Sequence, residues 1–265
     1  MDAFDHPDGL RAETRKCEKH GPYPVRTKTV RGHKFISGSC PACVTERDRE
    51  VKRAELADAR SSLETRLARS AIPRKLRSCS FDTYIATLPE QQHALRSCRA
   101  FAGDFERERA NGGVLILGGN TGTGKSHLAA SIALSVIAQG ATAMFATVQE
   151  IILMLRAGWQ RRNGPSELEV LRMLTRVDLL IIDEAGVQIG SDAERNQLHA
   201  VIDGRYREER PMVLTANLSA PELLDVMGER IYSRLREQGQ WVPFDWEDWR
   251  ARRPPPPAPA FQLSP

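Results

Sequence analysis

The sequence predicts a three-layer α/β protein in which helices cover both faces of a parallel sheet. Apolar strands alternate with helical segments from about residue 73 onward. One of these strands, near 113–117, leads through a glycine-rich loop into a helix. Another, near 178–182, is apolar after its first residue, as central strands of parallel sheets are, and two adjacent acids follow it. Together these observations predict the fold class, with a small module and a long helix in front of it.

The length and composition are those of a globular protein. The 265 residues are enough for one domain of ordinary size and a smaller module. No apolar run approaches the ~20 residues that span a bilayer, and the first residues lack the pattern of a signal peptide. We therefore expect a cytoplasmic protein with no membrane partner. Five cysteines, an odd number, argue against a disulfide framework.

Composition divides the chain into four predicted regions. They are a zinc-ribbon or knuckle-like module at 1–43, a connector helix at 44–72, an α/β domain at 73–253, and a disordered Pro-rich tail at 254–265. The net charge is +4, but residues 1–78 contain 18 Lys and Arg against 11 Asp and Glu. That surplus indicates either an anionic partner, nucleic acid first, or a solvated charged face.

Within these regions, periodicity and breaker residues predict the individual elements. Residues 44–70 have few helix breakers and sparse apolar positions, which favours one long connecting or interacting helix. In the α/β domain, strands are expected near 113–117, 142–147, 178–182, 211–216 and 241–244. Helices are expected near 91–110, 125–139, 149–161, 166–175, 193–207, 220–227 and 228–237.

The glycine-rich loop after the first of these strands has the complete P-loop pattern. It consists of Gly119, Asn120, Thr121, Gly122, Thr123, Gly124, Lys125 and Ser126, followed by His127. The N–H groups of such a loop and the positive end of the next helix bind phosphate. Lys125 would reach the β- and γ-phosphates and Ser126 would bind Mg²⁺. A glycine-rich turn that binds nothing is the alternative, but the strand–loop–helix context favours a nucleoside triphosphate site.

Polar residues also follow two later strands. Asp183 and Glu184 stand 58 residues beyond Lys125, where one carboxylate is needed near Mg²⁺ and another to orient the attacking water. Asn217 follows the strand at 211–216 and would contact the γ-phosphate or that water; the alternative is a helix N-cap or turn residue. No Asn-Lys-x-Asp loop for guanine is found. A water-activating ATPase is the preferred interpretation.

Two arginines lie further along the chain. Arg230 and Arg234 are four residues apart and share one helix face. A guanidinium supplied to a neighbouring subunit would stabilise charge on the γ-phosphoryl group. The alternative is an ordinary solvated basic helix end.

The first region contains the spacing of a zinc site. Cys17 and His20 form one pair and Cys40 and Cys43 another, with 19 residues between the pairs. Four such ligands suit tetrahedral Zn²⁺, and residues 11–43 have too few apolar side chains to fold without a cross-link. The intervening residues alternate like a short hairpin. Free thiols by chance are the alternative, and His33 is a weaker candidate ligand. Cys79 and Cys98 are expected to be ordinary buried thiols.

Taken together, these motifs resemble the AAA+ ATPases of the DnaC-type replicative helicase loader family, which are related to IstB-type transposition ATPases. The resemblance covers about residues 45–253, and the matching segments are 79–84, 122–130, 178–188, 210–217, 228–230 and 244–250. It implies a P-loop AAA+ sandwich of the ASCE class. Only 48 residues follow Asn217, so a full helical lid does not fit. By resemblance, Asn217 is the first sensor, Arg234 the arginine finger with Arg230 beside it, and Arg250 the second sensor.

The resemblance also implies a function. Loaders of this family assemble as a spiral on the hexameric replicative helicase, hold its ring open around single-stranded DNA, and leave after ATP hydrolysis. We therefore expect ATP, Mg²⁺ and Zn²⁺ as cofactors, and self-assembly with the ATP site at a subunit interface. An IstB-like ATPase that assists a transposase is one alternative. A zinc-dependent DNA-binding adaptor with a nucleotide switch is another.

Two surfaces are candidates for binding DNA or a protein partner. The segment Gln149 to Gly164 is the candidate DNA-facing element, through Arg156, Trp159, Arg161 and Arg162. An amphipathic surface helix is the alternative there. The basic N-terminal module suits either the helicase or DNA phosphate.

Overall fold

The computed structural model describes residues 11–31, 33–160, 165–186 and 191–249. The chain divides between Ser62 and Leu63 into two compact units. Within the described residues, no helix combines the length and the apolar character needed to cross a membrane.

The first unit is built on a three-stranded antiparallel sheet with strand order β1-β2-β3. The strands are β1 (Arg11–Cys17), β2 (Gly21–Val30) and β3 (His33–Ser37). The predicted hairpin corresponds to β2 and β3, whereas β1 was not predicted because it has almost no apolar alternation. Val25, Thr27 and Cys40 are its buried side chains among the described residues, so these described side chains bury very little apolar surface.

The long helix predicted at 44–70 is confirmed as α1 (Pro41–Arg69). It begins three residues earlier than expected, at a proline, which suits the first position of a helix because that position needs no N–H donor.

The second unit contains a five-stranded parallel sheet with strand order β5-β6-β7-β4-β8. Its strands are β4 (Val114–Gly119), β5 (Ala143–Thr147), β6 (Leu179–Asp183), β7 (Met212–Ala216) and β8 (Gly239–Phe244). All five predicted strands are therefore confirmed. Their carboxyl ends meet at one edge, where ligands of open α/β sheets bind.

Among the described residues, eight α-helices come after α1, and they follow the predicted order with one exception. They are α2 (Pro89–Gly103), α3 (Phe105–Asn111), α4 (Lys125–Ala138), α5 (Val148–Gln160), α6 (Glu167–Arg176), α7 (Asp192–Arg207), α8 (Ala220–Met227) and α9 (Glu229–Glu237). The single helix predicted at 91–110 is wrong: it is interrupted at Asp104. Gly103 and Asp104 both favour helix ends over helix interiors.

Strand residues alternate between two cores, which confirms the three-layer α/β fold. In β4, Leu115 and Leu117 pack into one cluster with α2 and α4, whereas Val114 and Ile116 pack into a second cluster. The second cluster contains the apolar faces of α5, α6, α7, α8 and α9. Because successive strand side chains point to opposite faces, both faces of the sheet are covered.

One buried cation ties the second unit together at the opposite edge of the sheet. Arg205 on α7 is fully buried. Burial lowers its pKa to about 9, so the guanidinium stays charged at neutral pH. It donates hydrogen bonds to four backbone carbonyls, those of Leu174, Val177, Asp178 and Pro211. The end of α6 and the chain entering β6 and β7 are thus fixed by one side chain.

Candidate functional sites

The P-loop lies between β4 and α4, as predicted, and its backbone requires glycine. Gly119 has φ +128°, and a Cβ there would lie 2.6 Å from the Phe244 carbonyl oxygen. Gly124 has φ +95°, and a Cβ there would lie 2.7 Å from Cε2 of Tyr84. Side chains at these positions would be strained by both conformation and contact. The loop can therefore take this path only with glycine at both positions.

Lys125 occupies the interior of this loop. Its side chain is buried, and Nζ donates to the Gly119 carbonyl oxygen at 2.9 Å and to the Asn120 carbonyl oxygen. An ammonium inside this loop is well placed to bind an anion, because phosphate oxygens offer stronger, charge-assisted hydrogen bonds than neutral carbonyls do.

Three oxygen-bearing side chains meet where β4, β7 and β6 end. Ser126 Oγ donates to Asp183 Oδ1 at 3.0 Å, and Thr215 Oγ1 donates to the same oxygen. Asp183 is buried, with 7% exposure. A hydroxyl beside a buried carboxylate is the oxygen donor set that Mg²⁺ prefers. The residues present therefore fit the ion that the sequence predicts.

Glu184 points the other way from its neighbour because of its backbone. Its φ is +58°, a left-handed conformation that is uncommon for any residue except glycine. The Glu184 N–H donates to Thr215 Oγ1 at 3.1 Å, and the Ala185 N–H donates to the Thr215 carbonyl oxygen at 2.7 Å. β7 thus fixes the turn that keeps Asp183 buried and leaves Glu184 exposed at the cleft. Such strain concentrates at functional sites.

Thr215 is the residue of this group that the sequence analysis missed. β7 lies between β4 and β6 in the sheet, so its polar residues fall between the P-loop and the acids. The signal available in the sequence was a threonine inside an otherwise apolar strand.

Asn217 lies at the same edge. It is exposed and lines the cleft with Asp183 and Glu184. The N-cap alternative for this residue is wrong, because Ser219 occupies that position for α8 and its N–H donates to Glu222 Oε2 at 2.7 Å.

Aromatic residues from two distant segments fix the outside of the P-loop. Tyr84 Oη donates to the Thr123 carbonyl oxygen at 3.2 Å, and Trp246 Nε1 donates to the same oxygen at 3.1 Å. The Trp249 N–H donates to the Gly122 carbonyl oxygen at 3.0 Å. The segments that carry the predicted resemblance, 79–84 and 244–250, thus support the loop in their described part.

His127 contacts the first of these segments. Its Nε2 lies 3.0 Å from the Ser80 carbonyl oxygen and 3.2 Å from Thr83 Oγ1, and its ring meets Tyr84 edge-on with centroids 5.6 Å apart. His127 therefore positions this segment beside the loop.

These groups surround a cleft of about 560 Å³, a size typical of small-molecule sites. The P-loop, Asp183, Glu184 and Asn217 line it on one side. Its other lining residues include Pro73, Leu76, Ile85, Gln91 and Trp249. The cleft therefore combines a charged region with a largely apolar one, as a nucleotide requires.

The two arginines of α9 have different surroundings. Arg230 is exposed, whereas Arg234 forms an ion pair with Asp203 of α7, and its guanidinium lies 5.2 Å from the centroid of the Tyr206 ring. Neither belongs to the described residues around the cleft. Arg250 lies outside the described residues.

The candidate DNA-facing element is described only in part. α5 carries Arg156, which forms an ion pair with Glu194 of α7 at 2.7 Å. Arg161, Arg162 and Gly164 lie outside the described residues, as does the side chain of Trp159.

The four predicted metal ligands converge within the first unit. Cys17 ends β1, His20 lies in the following turn, Cys40 precedes α1, and Cys43 is in its first turn. Their ligand atoms all lie within 4.8 Å of one another. His33 is not part of this group.

The separations of these atoms are close to the edges of a tetrahedron around zinc. His20 Nδ1 lies 3.3 Å from the Cys43 Sγ and 3.7 Å from the Sγ atoms of Cys17 and Cys40, and the Cys17 and Cys43 sulfurs are 3.5 Å apart. Zn–S and Zn–N bonds of ordinary length give tetrahedral edges of about 3.5–3.8 Å. The donor set therefore fits the ion, and all four positions are taken by protein side chains.

The groups of the cluster shift one another's pKa values in opposite directions. The backbone N–H groups of His20 and Lys19 lower the pKa of the Cys17 thiol to about 6. The shared hydrogen bond with Cys17 and burial raise the pKa of Cys43 to about 11. Glu46 Oε1 lies 3.0 Å from His20 Nε2 and raises the pKa of that imidazole to about 9. Glu46, which the sequence analysis missed, thus holds Nε2 and leaves Nδ1 facing the sulfurs, the arrangement that orients metal-binding histidines.

The other two cysteines differ in burial. Cys98 is fully buried, which raises its pKa to about 12, so the prediction of an ordinary buried thiol is confirmed. Cys79 is only partly buried.

The fold and the cleft define a P-loop nucleotide-binding protein of the AAA+ class. A family model described as IstB-like ATP binding protein matches residues 47–253. The replicative helicase loader DnaC of Escherichia coli strain K12 is 34% identical over 185 residues, which are 69% of this chain and 74% of that protein. YdaV of the same strain is 34% identical over 189 residues, 71% of this chain and 74% of that protein. The chain belongs to the IstB-like ATP-binding family and is a homologue of the DnaC helicase loaders, so the predicted resemblance is confirmed.

Solved structures show the same fold. A crystal structure of the DnaC helicase loader superposes with a TM-score of 0.60 at 22% identity, covering 65% of this chain and 100% of that chain. The replication initiator DnaA bound to AMPPCP and single-stranded DNA superposes with a TM-score of 0.57 at 17% identity, covering 67% of this chain and 52% of that chain.

Proposed function

We propose that this protein is an ATP-dependent loader that places a hexameric replicative DNA helicase onto single-stranded DNA and is released by ATP hydrolysis. Its homology to the DnaC loaders supports the partner. The observation that carries the proposal is the convergence of Ser126, Asp183, Glu184 and Asn217 on the cleft beside the P-loop.

The chain's own residues divide the work of hydrolysis. The loop N–H groups and Lys125 bind the β- and γ-phosphates. Ser126 and Asp183 hold Mg²⁺, which neutralises charge on the phosphates when it is bound. Glu184 orients the attacking water and takes up its proton, and Asn217 contacts the γ-phosphate. Because Glu184 is held outward by its backbone, the two acids have separate tasks.

Self-assembly would complete this site. Arg234 and Arg230 lie away from the cleft of their own chain, so their proposed target is the γ-phosphate of a neighbouring subunit, with Arg234 as the finger. Arg234 would exchange its ion pair with Asp203 for that contact. Arg250 is the proposed second sensor within the same chain. This arrangement would couple hydrolysis to a spiral or ring of subunits.

Zinc is the ion that Cys17, His20, Cys40 and Cys43 are proposed to bind. With four protein ligands the site is structural rather than catalytic. It would hold together the basic surface of the first unit, which suits either the helicase or DNA.

The test is the mass of the full-length protein measured by light scattering, alone and with its host's hexameric helicase, in ATP and in ADP. The proposal predicts a stoichiometric complex that forms in ATP and weakens in ADP. A chain that forms no complex in either nucleotide would contradict it.

A second candidate is an ATPase that assists a transposase, which the IstB-like description of the family model favours. It predicts no helicase complex, but assembly of the protein on double-stranded DNA in ATP. The same light-scattering series with added duplex DNA distinguishes the two candidates.

A further inference from the structure

Gln91 is the buried polar residue of the cleft that neither belongs to the phosphate site nor positions the two acids. It lies in the first turn of α2 and is 5% exposed. The cleft that Gln91 lines is also lined by Pro73, Leu76 and Ile85, together with the exposed Lys75. With the triphosphate held by the P-loop, this apolar lining is the chemistry that suits a flat aromatic base.

Hydrogen bonds fix the orientation of the Gln91 amide. Its Oε1 accepts from the Thr87 N–H at 2.8 Å, from the Leu88 N–H at 3.0 Å and from Thr87 Oγ1 at 3.2 Å. Only the oxygen of the amide can accept from backbone N–H groups, so the oxygen and nitrogen are assigned by their partners. The NH₂ group therefore faces away from this turn.

The Gln91 nitrogen is left with donors to offer. Among the described residues no acceptor lies within hydrogen-bonding distance of Nε2. The atom is not fully enclosed by protein, so it retains some accessible surface. Since the side chain is almost entirely buried and lines the cleft, the open space beside Nε2 is the cleft itself. A donor fixed in an apolar pocket is suited to a ring nitrogen of a purine.

We propose that Gln91 recognises the base of the bound nucleotide, with Nε2 donating a hydrogen bond to a ring nitrogen of adenine. This inference rests on the proposed nucleotide site. Gln91 then adds affinity that depends on the base, whereas the P-loop adds affinity that depends on the phosphates. One side chain has both roles: its oxygen caps α2 and its nitrogen contacts the ligand.

The variant Gln91→Glu separates these roles. A glutamate retains an oxygen that accepts from the Thr87 and Leu88 N–H groups, which is the usual capping arrangement, but it has no donor for the base. Gln92→Glu is the matched control, because it adds the same charge at the exposed neighbouring position. The thermal unfolding midpoint of each variant shows whether the fold is retained.

The measurement is the equilibrium affinity of the full-length protein for ATP and for ribose 5′-triphosphate, which lacks the base. We expect Gln91→Glu to bind ATP about tenfold more weakly than wild type. The variant loses one hydrogen bond and places a carboxylate oxygen opposite the ring nitrogen of adenine, where neither atom can donate. Ribose 5′-triphosphate should bind the two proteins equally, and Gln92→Glu should behave as wild type. Among 1-, 3- and 7-deaza-ATP, one should lose affinity for wild type but not for Gln91→Glu.

Three results would overturn the inference. Unchanged ATP affinity in Gln91→Glu would make Gln91 only a helix cap. An equal loss for ATP and ribose 5′-triphosphate would show an effect of charge or folding. Wild-type protein that binds neither ligand would overturn the proposed nucleotide site, and this inference with it.

Discussion

The nucleotide cleft and the Cys/His cluster are built on two different kinds of support. The cleft lies at the edge of a sheet whose central strands are fully buried, as Leu117, Ile182 and Leu214 show. The cluster lies on a sheet in which Val25 and Thr27 are the described buried side chains, and residues 12–16 of β1 are all exposed. A packed core holds the first site in shape without its ligand. The second site depends on its ion, since the described side chains around it bury so little apolar surface.

Removal of the metal should therefore affect one unit and spare the other. We expect one Zn²⁺ per chain in the wild type and none in Cys43→Ser, which lacks one of the four ligands. Structural zinc contributes on the order of 10 kcal/mol to folding, so the first unit should lose its structure with the ion. Amide hydrogen exchange should show lost protection in β1 and β2, with protection in β4 and β6 unchanged. Cys79→Ser is the control and should retain the ion. Protected β1 amides in the zinc-free protein would contradict the comparison.

Breaking the core of the second unit should have the converse effect. Arg205→Met leaves four backbone carbonyls without their donor, and we expect it to lower the free energy of unfolding by about 4 kcal/mol. Urea unfolding followed by tryptophan fluorescence measures the change. Arg207→Met removes an exposed ion pair on the same helix and should cost less than about 1 kcal/mol. Zinc content should be the same in both variants; its loss in Arg205→Met would weaken the comparison.

Within the cleft, the acid that orients water can be removed without disturbing the scaffold. Glu184→Gln should reduce kcat for ATP hydrolysis by about 100-fold or more while ATP still binds. Glu208→Gln, an exposed glutamate at the end of α7, is the control. Unchanged turnover in Glu184→Gln would remove Glu184 from the mechanism.

A smaller effect is expected at Thr215, which contacts neither phosphate nor water in the proposed mechanism of hydrolysis. Thr215→Val removes the hydroxyl that donates to Asp183 and accepts from the Glu184 N–H. We expect kcat to fall about tenfold, as positioning of both acids is loosened, with KM little changed. Thr215→Ser should restore turnover because it restores the hydroxyl. A Ser variant as slow as the Val variant would show that packing, not the hydroxyl, matters.

The parts of the fold and site that the sequence predicted are local in sequence. The P-loop spans eight consecutive residues between a strand and a helix, and Asp183 and Glu184 directly follow an apolar strand. The Cys17–His20 and Cys40–Cys43 pairs are likewise set by short turns. Such patterns are readable because neighbouring residues alone determine them.

The parts that were missed depend on contacts between distant residues. Thr215 reaches Asp183 across 32 positions, and Arg205 reaches Leu174 across 31. Glu46 meets His20 across 26 positions. β1 carries no apolar alternation, so only its pairing with β2 makes it a strand. The order of strands in the sheet creates these contacts, and that order cannot be inferred from any single segment of the sequence.

In the proposed function, ATP hydrolysis at this cleft releases the protein from a helicase. The most direct measurement is the lifetime of the complex with the host helicase on single-stranded DNA, in ATP, for wild type and Glu184→Gln. We expect the wild-type protein to dissociate as ATP is consumed, whereas Glu184→Gln should stay bound. Equal dissociation of both proteins would contradict it.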